Sequence, residues 1–396
     1  IPQSADDRLL AERQVGPTWL AVPAVGSTRA LSRHPHETAQ TPQIGILASD
    51  LSRHEDKRIL SELSTAFSNP ILFENIPIHI DTRIGGASIT ERSVSVEEFL
   101  RMSRLALQDA IAKGLDHAAY SPALQTKSID NILMLGELKD AITENQLLLH
   151  YQPKVEISTG AIYGAEALIR WNHPERGSIP PGLFIPRAEK STLINDVTDF
   201  ALNQALLQIA AWQQQDINIQ IAVNISTQNL LQPDFVEQIV RLLQHYGVAG
   251  EQLELEITEG TMVTDVKTTI AVLNRLAEEK ITISIDDFGT GYSSMQYLHD
   301  LPISFIKIDQ SFVRRLPFDK SAISICEATV QMAQKMGLQT IAEGVEDRQA
   351  YDCLAEMGCD FAQGFMIAKP QPAEQYKTWH MQNADCRLRL PPHATR

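Results

Sequence analysis

Sulfur ligands, positive charge and long apolar runs are all scarce in this chain. Its four cysteines (Cys326, Cys353, Cys359 and Cys386) lie late among 396 residues, and none falls in paired metal-site spacing. A cysteine-built metal centre is therefore excluded, and the thiols read as the reduced cysteines of a cytoplasmic protein. The formal net charge is −15, which excludes a general binder of nucleic-acid polymers, because such a binder needs a basic footprint. A phosphorylated small ligand stays open, provided that bound cations reverse the local field. No apolar stretch approaches the ~20 residues of a membrane helix, and no signal peptide opens the chain. The start at Ile1 points to a fragment. The expected location is the cytoplasm, or the cytoplasmic face of the inner membrane should a segment upstream anchor the chain. No G-x-G-x-x-G or P-loop follows any strand candidate, which weakens an open-sheet nucleotide fold.

What is present fits a globular protein: 43% hydrophobic and 21% charged residues, with length enough for two domains. Residues 1 to about 45 show scattered Pro and Gly and no sustained period. Beyond them "EDKRILSELSTAF" reads as a helix, "IPIHIDTRIGGASI" as a strand pair or one long strand, and "SVSVEEFLRMSRLALQDAIAKG" as a helix. Ser95 with Glu98 forms a capping box for the last of these, and Gly114 suits its stop. "KSIDNILMLGELKDAITENQ" reads as a connecting helix. From Leu147 the grammar changes: "LLLHYQPKVEI" and "AIYGAEALIRW" flank "STG" as a β-hairpin, and strands then alternate with helices to near residue 370. Such alternation predicts parallel strands with crossover helices. Their number favours a closed (β/α)₈ barrel entered through an antiparallel first strand. The tail "CRLRLPPHATR" is expected to be disordered.

Laid side by side, the strand candidates share a pattern. Ile219, Ile221, Val223 and Ile225 form one face of "INIQIAVNIS" and Asn224 points the other way; Leu253, Leu255 and Ile257 oppose Glu254 and Glu256; Ile306 and Ile308 oppose Lys307 and Asp309. Glu166, Leu168 and Arg170 likewise share a face of "AEALIRW". Helices cover a barrel's outside, so the polar sets face inward and end near the strands' C-termini, where barrel enzymes place their chemistry. A structural barrel would fill that interior with branched aliphatics. Here Glu166, Asn224, Glu256, Asp286, Asp287, Lys307 and Glu343 converge instead. Crowded carboxylates resist ionisation unless cations bind them, and an all-oxygen set without His or Cys favours Mg²⁺ or Mn²⁺. Two such ions, with Asp286 placed to bridge them, suit phosphodiester hydrolysis, and Lys307 is positioned to orient the water or stabilise transition-state charge.

In order and spacing, "GAEALIRW" (164–171), "VNIS" (223–226), "EITE" (256–259), "DDFGTGYSS" (286–294), "IKID" (306–309), "AEGVE" (342–346) and "QGF" (363–365) resemble the EAL-domain family of cyclic di-GMP phosphodiesterases. The resemblance covers residues 130 to 375 and implies a TIM-type (β/α)₈ barrel with an antiparallel first strand. It further implies hydrolysis of cyclic di-GMP to linear pGpG with two Mg²⁺ or Mn²⁺ ions. Glu166, Asn224, Glu256 and Asp286 resemble the ligands of one ion, and Asp286, Asp287 and Glu343 those of the other. Lys307 matches the lysine at the nucleophilic water, and Glu259 the glutamate that steadies the Asp-Phe-Gly-Thr-Gly loop. Gln152, Leu168, Arg170 and Gln363 sit at substrate-contacting positions. Asp309 reads equally as a strand-end structural carboxylate, and Glu346 as a supporting residue or a helix N-terminal acid. Arg170 suits a phosphate, with pairing to the acidic rim as the alternative. Trp171 reads as packing, and His150, His173, His245 and His299 as ordinary histidines.

The N-terminal part resembles the family's usual neighbour, a GGDEF diguanylate cyclase domain, in "DDRLLAERQ" and in "VEEFLRMSRLALQDAIAKGLDHAAY". The signature should fall within "HETAQTPQIGILASDL", yet no Gly-Gly-Asp/Glu-Glu-Phe is there, so a truncated platform for regulation or dimerisation is expected rather than a cyclase. The expected division is 1–124 for this domain, 125–145 for a linker helix, 146–378 for the barrel and 379–396 for the tail, in a homodimer. A cyclic di-GMP receptor without hydrolysis, or an interaction scaffold, are the competing functions. Intact motif positions favour the enzyme.

Overall fold

The computed structural model describes residues 28–31, 45–48, 55–68, 71–73, 76–78, 82–89, 94–260, 266–290 and 298–383. The expected helix at "DDRLLAERQ", residues 36–44 of the segment searched for a cyclase signature, Gly291 and the tail "CRLRLPPHATR" lie outside them. The chain divides into two compact units, Ile1–Asp130 and Asn131–Arg396. Among the described residues no helix is long and apolar enough to cross a membrane.

In the first unit β1 (Thr28–Leu31) pairs antiparallel with β2 (Gly45–Ala48), and β3 (Ile71–Phe73) pairs likewise with β4 (Ile76–Ile78). The stretch "IPIHIDTRIGGASI" therefore holds two strands that do not pair with each other: β5 (Ile84–Gly86) runs parallel to β6 (His117–Ala119) across helix Val96–Ala112. Ser95 caps that helix by accepting the Glu98 amide at 3.2 Å, whereas the Glu98 carboxylate turns to Arg101 at 2.6 and 2.8 Å. Gly85 lies so close to the helix that a Cβ would stand 2.2 Å from Leu107 N. No side chain larger than hydrogen fits there.

Helix Pro122–Thr143 is continuous, and the division between units falls inside it. The second unit opens with the hairpin β7 (Leu147–Glu156) and β8 (Ile162–His173), extended by β9 (Gly177–Ile179). Next come β10 (Gln220–Ile225), β11 (Leu253–Thr258), β12 (Thr282–Phe288), β13 (Phe305–Ile308), β14 (Gln339–Ala342) and β15 (Phe361–Gln363). β10 to β15 pair in sequence order and in parallel; β15 pairs antiparallel with β7, β7 antiparallel with β8, and β8 parallel with β10. The ring is closed: an eight-stranded barrel whose one reversed strand is the first, as the hairpin predicts.

The alternation in the strands produces two kinds of interior. Outward Ile221, Val223, Leu253, Leu255, Ile283 and Ile285 pack under the surrounding helices with Leu202, Leu206, Ile239 and Leu273 in one apolar core. Inside the ring, Tyr163, Phe305, Phe361 and Ile341 form an aromatic plug, with Tyr163 and Phe361 centroids 4.5 Å apart. Tyr163 reaches it because the register of β7 on β8 shifts between Lys154 and Val155, a bulge that turns an extra residue inward. Above the plug, toward the C-terminal ends of the parallel strands, the interior becomes charged.

Candidate active site

At the strands' C-terminal ends the inward residues of different strands meet on one ammonium. Lys307 on β13 is wholly buried, and its Nζ lies 2.7 Å from Glu256 Oε2, 2.6 Å from Glu343 Oε1, 3.2 Å from Asp286 Oδ1 and 3.8 Å from Glu166 Oε2. Glu343 follows β14, and its amide donates to the Ile308 carbonyl at 3.1 Å, so the ladder fixes its backbone. Asn224 Nδ2 donates to Glu166 Oε1 at 2.7 Å, and Gln363 Nε2 donates to Glu166 Oε2 at 2.6 Å and to Gln152 Oε1 at 3.1 Å. Gln152 in turn donates to the Ala368 carbonyl at 3.1 Å. Gln363 Oε1 is buried without a hydrogen-bond partner, an acceptor left for a donor from elsewhere.

Simple alternation would send Asp287 to the opposite face from Asp286. It does not, because the pairing of β12 with β13 shifts register between Ile285 and Phe288, and Asp287 adopts φ 55°. Asp tolerates this left-handed backbone better than most side chains, and the Asp287 amide donates to Asp286 Oδ1 at 2.9 Å. The distortion gathers Asp286, Asp287 and Glu343, each offering an oxygen, within 4.8 Å of one another. Past the bulge, the Gly289 amide donates to Glu259 Oε2 at 2.9 Å, tying the end of β11 to the loop after β12.

Asp309 caps the short helix Gln310–Val313 by accepting the Ser311 amide at 3.0 Å, and it also lies against Asp287. Glu346 pairs with Arg314 at 3.0 Å on the surface, and the residue after it, Asp347, caps helix Arg348–Met357. Arg170 is half-buried, donates to the Ile169 carbonyl at 2.8 Å, and forms no ion pair among the described residues. Leu168 stands opposite His150 in the hairpin, and Arg170 opposite Leu148. Trp171 is buried against Phe184 with centroids 5.4 Å apart.

Lys154, Glu254 and Ser284, beside the centre, have no role in the motif reading. Lys154, fully buried, stands 2.8 Å from Glu256 Oε1 and 2.9 Å from Glu254 Oε2, and Ser284 Oγ donates to Glu254 Oε1 at 2.7 Å. The signal was in the strand: Lys154 shares the inward parity of Gln152, and a lysine inside a barrel requires an anion.

The charges do not balance. Burial pushes the Glu166 carboxyl up to about 7, helped by Glu256 and Asp286. Burial raises Glu343 well above the carboxylate range despite Lys307 beside it. Burial, then Asp286 and Asp309, lift Asp287 to about 6. Glu256 behaves oppositely: burial disfavours its charge, but Lys154 and Lys307 outweigh burial and hold it at about 2. Lys307 is itself held well above the ordinary lysine value, since four carboxylates outweigh its burial. The two ammoniums thus neutralise only part of the cluster, and the rest retains an unmet demand for positive charge. Oxygen-only donors with a surplus of negative charge fit a hard divalent cation, and Asp286, Asp287 and Glu343 could hold one.

The EAL domain family profile matches residues 135–370. The chain is 35% identical over 339 residues to the cyclic di-GMP phosphodiesterase PA2567 of Pseudomonas aeruginosa, covering 85% of this chain and 58% of that protein. It is 34% identical over 331 residues to the cyclic di-GMP phosphodiesterase NbdA of the same organism, covering 82% and 42%. The chain thus spans about half the length of these curated relatives. Among solved structures, the PaMucR phosphodiesterase in its c-di-GMP complex superposes with a TM-score of 0.60 at 39% identity, over 62% of this chain and 99% of that one.

Proposed function

This chain belongs to the EAL-domain family, and from that premise we propose that it is a metal-dependent phosphodiesterase that opens cyclic di-GMP to linear pGpG. One observation carries the proposal: Glu166, Glu256, Asp286 and Glu343 converge on Lys307, with Asp287 grouped beside Asp286 and Glu343, in one centre whose carboxylates outnumber its own cations. Relatives of similar sequence are named cyclic di-GMP phosphodiesterases.

In this reading Glu166, Asn224, Glu256 and Asp286 hold one Mg²⁺ or Mn²⁺, and Asp286, Asp287 and Glu343 hold a second. Bound there, divalent cations supply an activated water and neutralise charge developing on the phosphodiester. Lys307 orients the attacking water and stabilises the charge of the transition state. Glu259 holds the loop through the Gly289 amide, so that Asp286 and Asp287 keep their aim. Arg170, which feels the Glu166 charge but forms no ion pair among the described residues, offers its fork to a phosphate. Gln152, Leu168 and Gln363 complete the dinucleotide site, where the unpartnered Gln363 Oε1 can accept a ligand N–H. Asp309 supports Asp287, and Glu346 supports the mouth through Arg314.

The N-terminal unit is read as a degenerate GGDEF-like platform without cyclase activity, since no Gly-Gly-Asp/Glu-Glu-Phe stands in the sequence. It would serve regulation or the assembly of a homodimer. The test is direct: purified protein, cyclic di-GMP, and Mg²⁺ or Mn²⁺, with products separated by chromatography. Linear pGpG is expected. Binding of the dinucleotide without cleavage under either metal would replace the enzyme by a receptor.

A further inference from the structure

Lys154 lies outside every motif discussed above, yet it touches the centre. Its strand position places it one side-chain layer deeper than Gln152, opposite Gly164, and Glu254 stands two residues before Glu256 on β11. Glu256 has two oxygens and each meets a different lysine: Oε1 meets Lys154 at 2.8 Å and Oε2 meets Lys307 at 2.7 Å. A carboxylate held at both oxygens cannot twist about its terminal bond. We infer that Lys154 is a positioning residue for the catalytic centre, fixing the plane of Glu256 from below and through it the place of the Lys307 ammonium.

The inference rests on the functional reading above and deepens it. A purely structural role would need only one partner for Lys154, and Glu254 already provides it at 2.9 Å, itself secured by Ser284. The added contact to Glu256 does something that pair does not. With Oε1 released, Glu256 could rotate and Lys307 could follow Oε2, leaving Glu343 and Asp286, which stand 2.6 and 3.2 Å from its Nζ. Partners of this kind, one shell behind metal-binding groups, commonly govern ligand orientation.

The discriminating variant is the double replacement Lys154→Met/Glu254→Gln. It removes one positive and one negative charge together, keeps the stem volume of the lysine, and leaves Ser284 an oxygen to bond. If Lys154 only neutralises Glu254, this variant restores everything. If Lys154 positions Glu256, the variant melts near the wild-type temperature, yet Mn²⁺ binding by calorimetry and kcat on cyclic di-GMP each weaken by about 10- to 100-fold. Wild-type Mn²⁺ affinity and kcat in the double variant would overturn the inference. So would its failure to fold, since the ammonium would then be holding the barrel and not the site. The Mn²⁺ titration keeps the two claims apart: a wild-type chain that binds Mn²⁺ but cleaves nothing refutes the proposed activity, while the binding comparison still decides the role of Lys154.

Discussion

At the scale of the residue, the centre is organised around Lys307. Four carboxylates lie within 4 Å of its Nζ, so its charge is held firmly, and its contribution is expected where charge develops and not where substrate merely binds. Lys307→Ala should therefore lower kcat by about 10²-fold or more, the range of lost electrostatic stabilisers. Affinity for cyclic di-GMP, measured by calorimetry with Ca²⁺ blocking turnover, should change far less. Equal losses in rate and binding would make Lys307 a ligand contact instead. Glu259 acts at one remove. Its carboxylate accepts the Gly289 amide, and Glu259→Ala should free the loop after Asp287 and cut turnover by about tenfold or more, as lost partners behind metal ligands do. Wild-type kcat and Mn²⁺ dependence in that variant would show that the loop is held by other groups.

At the scale of the element, alternation carried the reading far, and its failures have a common cause. Period two in "IQIAVNIS", "LELEITE" and "FIKID" located the outward core and the inward polar set, because a closed barrel gives each strand two faces of opposite chemistry. Tyr163 and Asp287 break that period. Each sits at a register shift between neighbouring strands, and a bulge depends on how two strands fit, which neither strand's own sequence records. Lys154 was legible as an inward residue, but its partners Glu254 and Glu256 lie about 100 positions away, a separation no local pattern spans. Glycine supplies the test at this scale. A Cβ on Gly364 would stand 2.1 Å from Val345 O and 2.3 Å from Val345 N, where the backbone after β14 crosses that after β15. Gly364→Ala must push these segments apart, moving Gln363 and the run after Glu343. A loss of about 1–3 kcal/mol in urea unfolding is expected from such overpacking, with reduced kcat. Unchanged stability together with unchanged kcat would mean that this crossing does not hold the site in place.

At the scale of the whole molecule, the proposed activity would have a chain of net charge −15 bind a dianionic cyclic dinucleotide, which repulsion alone would discourage. Cations held at the mouth would resolve the conflict, because they would reverse the local field where the phosphates are proposed to sit. Hydrolysis should accordingly vanish in EDTA and return with Mn²⁺ or Mg²⁺, and full activity in excess chelator would defeat the metal-dependent mechanism. Ca²⁺ should inhibit, since its larger and looser coordination sphere holds a water less strictly. The same reasoning applies to the other unit. A cyclase must bring the triphosphates of two GTP molecules together at a metal, and the residues that would do so belong to a signature missing from this sequence. Helix Val96–Ala112 and its β5–β6 pair supply a scaffold but no acidic cluster for that purpose among the described residues. Glu166→Ala, which by the proposed mechanism would disable the barrel while leaving the sequence of residues 1–130 unchanged, isolates the question. Incubated with GTP and Mg²⁺, this variant should give no cyclic di-GMP by chromatography. Any clear synthesis would assign the unit a catalytic role in place of a platform, and would make the two units opposed enzymes acting on one messenger.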